Sequence, residues 1–514
     1  MIAAYVVEQE SEDGGILFRL GDGTPYIRLG SGRIISLGRH GAGNGIFASY
    51  LEDMYGLNCH EPAAKFVYDQ IRAKAVWEGD SVELRRFAKF DTKTRQLYLS
   101  QYNGSMWRLD GDSVESLPNG EDECFFADDD GGSACEDDVD IGAHGVLLPT
   151  LSNLSFVKDT ASGMGPEVQQ RIFVAWMFAL AFPDLQPTKP MLLLEGQQGS
   201  GKTSGCVSVQ LVLTGRRKPV QLRKGQEDEF GIMLLRSPIC CLDNADSFID
   251  WLPDALCSYA TAGQWVRRKL YTDDEEINIR PQSFIAIATR IPASFRRGDT
   301  AERCLVLRLE PLRTKIPQGQ LEARLLGLRP KLLGEYLYYA NKIVEVIRSG
   351  FLDEIRNEKL RMADFAAFAR VVGIVLGWTD AEIEEMFDAI QLESAALTEE
   401  TDPLTEVLSA WLGYQSRDGR YSNVGRKVTL NALYSELKSF AQSLGVEDWY
   451  DKPRILRDRL KGPNLSRNFR IESAPNPINT SQHLYMIWRA TDPKLTLVDD
   501  AFTDRVVIDL SEGT

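Results

Sequence analysis

The sequence predicts an α/β fold whose core is a parallel sheet flanked by helices, and three observations predict it. Between residues 191 and 310, four short apolar runs alternate with segments of helical spacing, which is the pattern of a parallel α/β domain. A glycine-rich loop directly follows the first apolar run, where such a sheet places a strand-to-helix turn. Residues 316–395 are helical in pattern, so we expect a helical region after the sheet.

The length and composition are those of a soluble protein with more than one domain. At 514 residues the chain is too long for a single hydrophobic core. Its 43% apolar and 26% charged residues are typical of globular proteins. No apolar run is long enough to span a bilayer, and the N-terminus lacks the features of a signal peptide. The sequence therefore predicts a cytoplasmic protein with no membrane partner.

The cysteine and histidine pattern argues against a structural zinc site and against a disulfide framework. The eight cysteines are scattered without a C-x-x-C pair, and the four histidines are dispersed. We expect reduced and mostly buried thiols instead.

The formal charge of −16 counts mildly against nucleic-acid binding, because proteins that bind nucleic acids often carry a basic balance. The acidic residues are unevenly placed, however, since residues 121–140 alone contain ten Asp and Glu residues. A run of this kind is usually a solvated loop, and that is the structure predicted for it.

Changes in pattern divide the chain into four predicted domains. They are an N-terminal mixed α/β domain, a parallel α/β core, a helical lid or linker, and a small C-terminal domain of helices with a terminal β-hairpin, at residues 1–150, 151–315, 316–400 and 401–514. The first domain reads as short strands and turns with one helix at 61–75, without a visible catalytic constellation. The core is predicted to begin with a helix at 166–182, whose proline suits a first turn.

The glycine-rich loop, residues 196–203, carries the most specific motif in the chain. It fits G-x-x-x-x-G-K-[ST] in full and lies between a buried strand and a predicted helix. Glycines let such a loop curl so that its N–H groups point at phosphates, and the helix N-terminus adds partial positive charge. We therefore predict a P-loop for ATP, with contacts from Gly196, Gln197, Gln198, Gly199, Ser200, Gly201, Lys202, Thr203 and Ser204. A plain glycine turn is the alternative.

Two side chains of this loop and one from a later strand have predicted roles at the phosphates. Lys202 is expected to bridge the β- and γ-phosphates, and Thr203 to bind Mg²⁺. Asp243 follows the buried run 239–242 and is the predicted further Mg²⁺ ligand, at the tip of an adjacent strand. ATP and Mg²⁺ are thus the predicted ligands.

Asn244 and Thr289 are predicted to act on the attacking water. Asn244 stands where many ATPases place Glu, so it would position a water without taking its proton, and Asp246 is close enough to assist. An Asx-type turn is the alternative for Asn244. Thr289 ends the strand at 283–288, where its hydroxyl would hydrogen-bond the water or the γ-phosphate.

Arg303 is the candidate for charge stabilisation between subunits. It opens the strand CLVLRL after Arg296 and Arg297, and a cation on a fixed element suits an arginine finger that reaches into a neighbouring subunit. A salt bridge to Asp299 or Glu302 is the alternative.

The order of these segments resembles the superfamily-three helicases, a branch of the AAA+ ATPases found in small DNA viruses, phages and plasmids. This resemblance covers about residues 165–310 and rests on GQQGSGKT, ICCLDN, GQWVRRKLYTDDEEINIRPQSFIAIAT and ERCLVLRL. The chain looks most similar to the ATP-binding replication proteins of phages and integrated elements that accompany a primase. The phrases ALCSYATAGQWVRRKLYTDDEE and RMADFAAFARVVG carry that similarity, which extends from about residue 50 to the C-terminus.

The resemblance implies an AAA+ core with active sites between subunits, and therefore a hexameric ring. Two positions depart from the family pattern. Thr289 stands where the family has Asn, and Asn244 replaces an acid of many helicases, although the phage-type relatives also carry Asn. Both departures are compatible with slow hydrolysis.

The segment between Asp243 and Thr289 contains a predicted DNA-contacting hairpin. Residues 266–270 and 277–279 flank a polar turn, and Trp265 and basic residues lie on the first arm. Cations beside aromatic side chains are typical of a grip on single-stranded DNA. In the family the hairpin tip lines the hexamer channel, which assigns the contact to Arg268, Lys269 and Tyr271. An exposed amphipathic hairpin without a ligand is the alternative.

A second basic segment lies in the C-terminal domain. Residues 452–470 contain seven cations and one acid, after a predicted helix at 429–444. Residues 469–471 with 484–489 would form a wing. This looks like a winged-helix-like domain that contacts DNA phosphates through Lys452, Arg454 and Arg457. A regulatory or packing domain of the same fold is the alternative.

These features favour an ATP-dependent DNA helicase or translocase of a phage, plasmid or integrated element. It would act in DNA replication as a homo-hexamer on single-stranded or forked DNA, with a separate primase as a further partner. The second hypothesis is a nucleotide-switched regulatory or defence ATPase that binds DNA without translocating. The third is a P-loop kinase, which would need neither the arginine before the last core strand nor a basic C-terminal domain.

Overall fold

The protein divides into two compact units, Met1–Ser394 and Ala395–Thr514. The computed structural model describes residues 2–38, 45–58, 60–127, 132–160, 162–223, 225–246, 249, 251–260, 265–268, 276–279, 282–354, 360–399, 403–413, 423–443, 449–461, 465, 469–479 and 482–489. The first unit contains the stretches that the sequence analysis separates at residues 150 and 315.

The first unit opens with a small sheet covered by helices. Its elements are α1 (Ile2–Glu12), β1 (Ile16–Arg19), β2 (Pro25–Arg28), β3 (Ile34–Ser36), α2 (Ile46–Tyr55), α3 (Pro62–Glu78) and β4 (Asp80–Ser81). The strand order is β3-β2-β1-β4. Val6, Phe47 and Ile71 from the three helices share one buried cluster with residues of the sheet.

Only one of these three helices, α3, is predicted by the sequence pattern. The prediction of a single helix is therefore wrong for this region, since α1 and α2 are also present. The buried residues of α1 are Val6 and Glu10, so its apolar repeat is too sparse to signal a helix. Glu10 instead accepts a hydrogen bond of 2.9 Å from the Tyr55 hydroxyl and a further one from Tyr50.

A four-stranded antiparallel meander and a pair of short parallel strands follow, and the meander packs against the core of the first unit. The elements of this part are β5 (Leu84–Arg85), β6 (Ala88–Asp91), β7 (Gln96–Ser100), β8 (Ser105–Leu109), β9 (Val114–Pro118), β10 (Phe125–Phe126) and α4 (Leu147–Leu151). Strands β6 to β9 pair in sequence order, and β5 pairs with β10. Phe90, Leu97 and Leu109 belong to the same buried cluster as the central sheet.

The central sheet has five strands, all parallel, as the alternating sequence pattern predicts. The elements are α5 (Pro166–Ala179), β11 (Met191–Gly196), α6 (Lys202–Thr214), β12 (Pro219–Val220), α7 (Glu227–Arg236), β13 (Ile239–Leu242), α8 (Leu252–Ala260), β14 (Trp265–Arg268), β15 (Glu276–Ile279), β16 (Phe284–Thr289), α9 (Gly298–Ala301) and β17 (Cys304–Leu309). The order is β12-β13-β16-β11-β17. Because the strands are parallel, their carboxyl ends meet at one edge.

The helical region predicted after the sheet is present. It contains α10 (Gln318–Arg348), α11 (Phe351–Glu354), α12 (Ala363–Leu376) and α13 (Asp380–Glu399). The fully buried Tyr336 of α10 stacks on Phe178 of α5 at 5.2 Å between ring centroids. Among the helices that the structure describes, none combines the length and the apolar character needed to cross a bilayer.

The segment 133–147, called the strap below, includes the second half of the acidic run and crosses α6 and α10. Ser133 N donates to Thr214 O at 2.7 Å at the end of α6. Arg329 donates to Ser133 O and Ala134 O at 2.8 and 2.7 Å, and to Val212 O at 3.0 Å. Glu335 accepts from three successive backbone N–H groups, those of Gly145, Val146 and Leu147, at 2.7–3.0 Å.

The prediction of a solvated loop is therefore only partly right. The side chains of Glu136, Asp137 and Asp138 are exposed as predicted, but the strap backbone is bound to the two helices. Arg329 and Glu335 are 5% and 1% exposed, and both are too far along the chain for a local pattern to reveal the contact. Residues 128–131 lie outside the described residues.

After α13, the described residues of the second unit form three helices and a three-stranded antiparallel sheet. Its elements are α14 (Pro403–Leu412), β18 (Val428–Thr429), α15 (Leu430–Ser443), α16 (Pro453–Leu460), β19 (Phe469–Pro475) and β20 (His483–Arg489). The strand order is β18-β20-β19, and β19 with β20 forms the terminal hairpin. Trp411, Leu437, Leu456 and Ile487 lie in its buried core.

We predict that Arg329→Met lowers the free energy of unfolding by about 2–4 kcal/mol, because three carbonyls lose a charged donor in a buried position. The measurement is chemical denaturation of the full chain. Arg324→Met is the matched control, since Arg324 lies on the same helix and is exposed. Equal stability of the two variants would contradict the role given to Arg329, and protease cleavage within the strap should rise in Arg329→Met alone.

Candidate functional site

The glycine-rich loop connects the end of β11 to the start of α6 at the carboxyl edge of the central sheet. Gly199 and Gly201 have φ values of +81° and +84°, a region that L side chains rarely adopt. A Cβ on Gly196 would lie 2.8 Å from Ser200 Oγ and still closer to Leu309 O. The curled backbone thus favours glycine at all three positions, and the motif predicts two of them, Gly196 and Gly201.

The Lys202 side chain folds back over this loop. Its Nζ donates to Gly196 O at 2.6 Å and to Gln197 O at 2.9 Å, with Ser200 Oγ at 3.4 Å. Burial lowers the pKa of Lys202, and nearby Arg290 acts in the same direction, while Asp246, Asp243 and Glu195 oppose it. An anion placed at the loop would favour the charged form of this lysine.

The other predicted loop contacts differ in exposure. Ser200 is 1% exposed and fixed inside the curl. Gln197, Gln198 and Ser204 are exposed, so their side chains are accessible beside the loop.

Thr203 and Asp243 are in direct contact. Thr203 Oγ1 donates to Asp243 Oδ1 at 2.5 Å across the edge of the sheet. The structure thereby brings together the two predicted metal ligands from segments 40 residues apart. The site is open enough for a ligand, because both side chains are only partly buried.

One detail of the Asp243 prediction is wrong. The strand that precedes Asp243, β13, does not pair with the loop strand β11, since β16 lies between them. β13 pairs in parallel with β16 instead. Thr289, at the end of β16, consequently lies between the aspartate strand and the loop strand.

Asn244 follows Asp243 in a left-handed backbone conformation, with φ of 53°. Its backbone N–H donates to Asp243 Oδ1 at 3.0 Å, and its side chain is exposed. Asn tolerates this conformation better than a longer acid does, so the backbone gives a reason for Asn at this position. A turn at Asn244 is compatible with a contact between its side chain and a water molecule. The water-positioning role of Asn244 stays a prediction.

Thr289 belongs to a polar cluster that also contains Asp246 and Arg290. The Thr289 hydroxyl, fully buried, lies 3.1 Å from Asp246 Oδ1, 3.0 Å from Ala245 O and 2.8 Å from Ile291 O. Arg290 donates to Asp246 from its backbone N at 2.6 Å and from Nε at 2.7 Å. Burial raises the pKa of Asp246, but these hydrogen bonds outweigh it and lower that pKa overall.

Arg290 is not among the site residues that the sequence predicts. No motif points to it, and only its position directly after Thr289 suggests that it lies near the site. Its side chain is about half exposed and its charge acts on Lys202. The predicted contact of Thr289 with a phosphate or water stays a prediction.

Arg303 lies away from the glycine-rich loop and is buried. It precedes β17, at the amino end of the sheet, and is 5% exposed. Its guanidinium donates to Asp299 O and contacts Cys257 Sγ at 3.6 Å, and within the described part of the chain it pairs with no carboxylate. In this conformation Arg303 does not reach the surface, where a neighbouring subunit would meet it. Its role as an arginine finger therefore stays a prediction.

Arg297, by contrast, is an exposed cation held in place. It contacts Asp254 Oδ1 at 2.5 Å and Asp299 Oδ2 at 2.5 Å, and its side chain is 49% exposed. Hydrogen bonds from Arg297 lower the pKa of Asp299 to about 2, and the pKa of Arg297 is raised in return.

A partly buried ion network, which no local sequence pattern predicts, supports the loop from behind. Glu195, directly before Gly196, pairs with Arg308 Nη1 of β17 at 3.1 Å. Arg308 Nε also contacts Glu393 Oε2 of α13 at 3.0 Å, and Glu393 is 1% exposed. The Ser162 hydroxyl donates to the other oxygen of Glu393.

The predicted DNA-binding residues fall in two places. β14 and β15 pair antiparallel, with Arg268 opposite Glu276, so the two arms of the predicted hairpin are present. The Arg268 backbone is on β14, whereas Lys269 and Tyr271 lie outside the described residues.

In the second unit, Lys452 precedes α16, and Arg454 and Arg457 lie on it. Leu456 and Leu460 face the core, which turns Arg454 and Lys461 outward. Arg457 is 41% exposed and contacts Asp458 Oδ1 at 3.2 Å.

The side chains present fit Mg²⁺ only together with other oxygen ligands. Among the residues that the structure describes, there is no group of three or more His, Cys, Asp or Glu side chains that could hold a metal. Thr203 and Asp243 supply two oxygens, and Mg²⁺ commonly completes its shell with phosphate oxygens and water.

Comparison with known families gives one match, to the central part of the chain. Residues 165–379 match the model of the actinomycete integrative conjugative element replication protein family. This region includes the loop, the central sheet, the hairpin and the helices up to α12. It is therefore similar to replication proteins of integrative conjugative elements. No curated protein matches the sequence.

Among the solved structures that align with this chain at low similarity are helicases. An active helicase, SCCmec type IV Cch, is 13% identical over 92% of each chain, with a TM-score of 0.46. The C-terminal region of NrS-1 is 9% identical over 94% of this chain and 97% of its own, with a TM-score of 0.44. JCV helicase is 14% identical over 52% of this chain and 70% of its own, with a TM-score of 0.19. These global similarities are weak, and the interpretation of the site rests on its own side chains.

We predict that Arg308→Met destabilises the first unit by about 3–5 kcal/mol, because it leaves two carboxylates without their common cation in a buried position. Adding Glu393→Gln to this variant should restore part of the loss, since it removes one uncompensated charge. Denaturant unfolding of the wild type, both single variants and the double variant measures the coupling. Additive effects of the two substitutions would contradict a network centred on Arg308.

Proposed function

We propose that this protein is an ATP-driven DNA helicase or translocase that serves the replication of an integrated mobile element and works as a ring. The observation that carries the proposal is the direct Thr203–Asp243 contact beside a curled loop closed by Lys202. It places a cation, a hydroxyl and a carboxylate where a triphosphate and its metal need them. The family match of residues 165–379 supports the replication role.

At the nucleotide, the loop backbone would hold the phosphates and Lys202 would leave its carbonyl partners to contact the β- and γ-phosphates. Thr203 and Asp243 would hold Mg²⁺, which, when bound, neutralises phosphate charge. Asn244, exposed beside Asp243, would orient the attacking water. Thr289, Asp246 and Arg290 would act as one unit, because hydrogen bonds fix their geometry.

DNA contact in the first unit is assigned to the β14–β15 hairpin. The chain leaves the site after Asp243, passes through α8 and the hairpin, and returns along β16 to Thr289. A change at the phosphates can therefore act on both ends of the segment between Asp243 and Thr289. Arg268, Lys269 and Tyr271 would hold one strand of DNA by charge and stacking.

DNA contact in the second unit is assigned to α16. The order of α15, α16 and the β19–β20 hairpin supports a winged-helix-like domain with α16 as its DNA-facing helix. Arg454 and Lys461 are the outward cations, and Arg457 lies beside them. On an acidic chain, such a basic helix face suits contacts to phosphates.

A ring would place active sites between subunits, and Arg297 is the better supported cation for such a contact. It is exposed and fixed by Asp254 and Asp299, whereas Arg303 is buried. A finger role for Arg297 therefore replaces that of Arg303 in this proposal.

A nucleotide-switched regulatory ATPase is the second candidate, and one observation favours it. The residue after Asp243 is Asn244, so this position offers no carboxylate base, and Asp246 is occupied with Arg290. Slow hydrolysis follows from this arrangement. Turnover that does not respond to single-stranded DNA, in a protein that binds DNA, would select this candidate over the translocase.

We predict that Lys202→Ala lowers ATP hydrolysis by at least about 10²-fold without unfolding the protein, since the variant loses the cation that stabilises developing phosphate charge. Phosphate release is measured with and without single-stranded DNA, and circular dichroism checks the fold. Lys331→Ala, an exposed lysine of α10, is the control. Unchanged turnover in Lys202→Ala would remove the ATPase assignment.

We predict that Arg454→Gln with Arg457→Gln weakens DNA binding and flattens its dependence on salt, because each lost phosphate contact reduces the slope by roughly 0.7–0.9. Fluorescence anisotropy over a series of salt concentrations gives the slope. Lys438→Gln on α15 is the control, because Lys438 is an exposed cation near the Tyr434 ring. A slope equal to that of the wild type would mean that α16 does not touch DNA.

A further inference from the structure

The chain that leaves the central sheet crosses the glycine-rich loop before it enters α10. After β17, residues 310–317 run over the loop, and Leu312 N donates to Gly199 O at 3.1 Å. The Leu312 side chain lies over Gly201, where a Cβ would be 3.2 Å from Leu312 Cδ1. This crossing segment, residues 310–317, is therefore part of the loop's immediate surroundings.

Lys315 brings a second ammonium group to the loop. Its Nζ lies 2.9 Å from the position that a Cβ on Gly199 would occupy. The side chain is exposed, and within the described part of the chain no carboxylate or carbonyl oxygen pairs with it. Lys202, by comparison, is bound to two loop carbonyls.

The glycine at position 199 is explained by this crossing. The motif G-x-x-x-x-G-K-[ST] leaves position 199 open to any residue, so the motif does not require glycine there. Two local conditions do, namely the φ of +81° and the close approach of Lys315. Gly199 thus gives the crossing segment access to the backbone of the loop.

We propose that Lys315 is a second phosphate ligand, supplied by the crossing segment, that closes over a nucleoside triphosphate held in the loop. The proposal rests on the nucleotide site of the proposed function. Lys202 is surrounded by Glu195, Asp243 and Asp246, which already offset its charge. A triphosphate therefore leaves anionic oxygens for another cation, and Lys315 is free to turn toward them.

This assignment also links phosphate binding to the helical region. α10 begins at Gln318, three residues after Lys315. A phosphate contact at Lys315 would fix the crossing segment and the first turn of α10. Further along, the same helix is bound to the strap through Arg329 and Glu335.

The test is the affinity of the full-length protein for a fluorescent ATP analogue with Mg²⁺, at several salt concentrations. Lys315→Gln should bind about tenfold more weakly, as expected for one charged hydrogen bond, and with a shallower salt dependence. Lys315→Arg should remain close to the wild type, because it keeps the charge. Arg313→Gln, an exposed cation of the same segment, should bind like the wild type.

Lys202→Ala serves as the reference for the site itself. If Lys202→Ala loses binding while Lys315→Gln keeps wild-type affinity, the role of Lys315 is overturned and the proposed function stands. A weaker Lys315→Gln with an unchanged salt slope would also overturn it, because a loosened segment, not a lost charge, would explain the result. A wild type that binds no ATP analogue would overturn both the nucleotide site and the role of Lys315.

Discussion

β11 pairs in parallel with β16 along one side and with β17 along the other, and Met191 to Leu194 are fully buried between them. The register sets Glu195 opposite Thr289 on β16 and opposite Arg308 on β17. Everything at the site depends on this alignment. It fixes the start of the glycine-rich loop, the height of the Thr289 cluster and the ion pair behind the loop, because neighbouring parallel strands end at the same edge.

Some charged side chains around the loop are held in ion pairs, and others can still contact a ligand. Arg308 is committed to Glu195 and Glu393, and Arg290 to Asp246. These pairs hold the β-strand ends in place and are costly to break where they are buried. Lys202 and Lys315 remain as the cations that can move, the first bound only to neutral loop atoms. A site of this kind is preorganised around its fixed pairs and adjustable at its lysines, which suits an anionic ligand that is bound and released.

Some predictions followed correctly from local pattern. The four core strands, the two hairpin arms and the helix at the start of the core are present, since alternation, apolar runs and proline position are short-range signals. The sequence pattern does not predict helices α1 and α2, because few of their residues are buried and the apolar repeat is weak. The acidic run predicts a solvated loop because its side chains face water, while the contacts that hold the strap backbone come from residues about 190 positions away.

The sequence by itself determined where the curled loop lies and which side chains follow it. A curled backbone needs its glycines, and the same short motif places Lys202 and Thr203 directly after them at the start of a helix. Only the tertiary structure decided which strands are neighbours, that Arg303 is buried and Arg297 exposed, and that Glu393 and Lys315 approach the loop. These facts depend on packing between segments far apart in the chain, and residue types at fixed spacing carry no information about such distances.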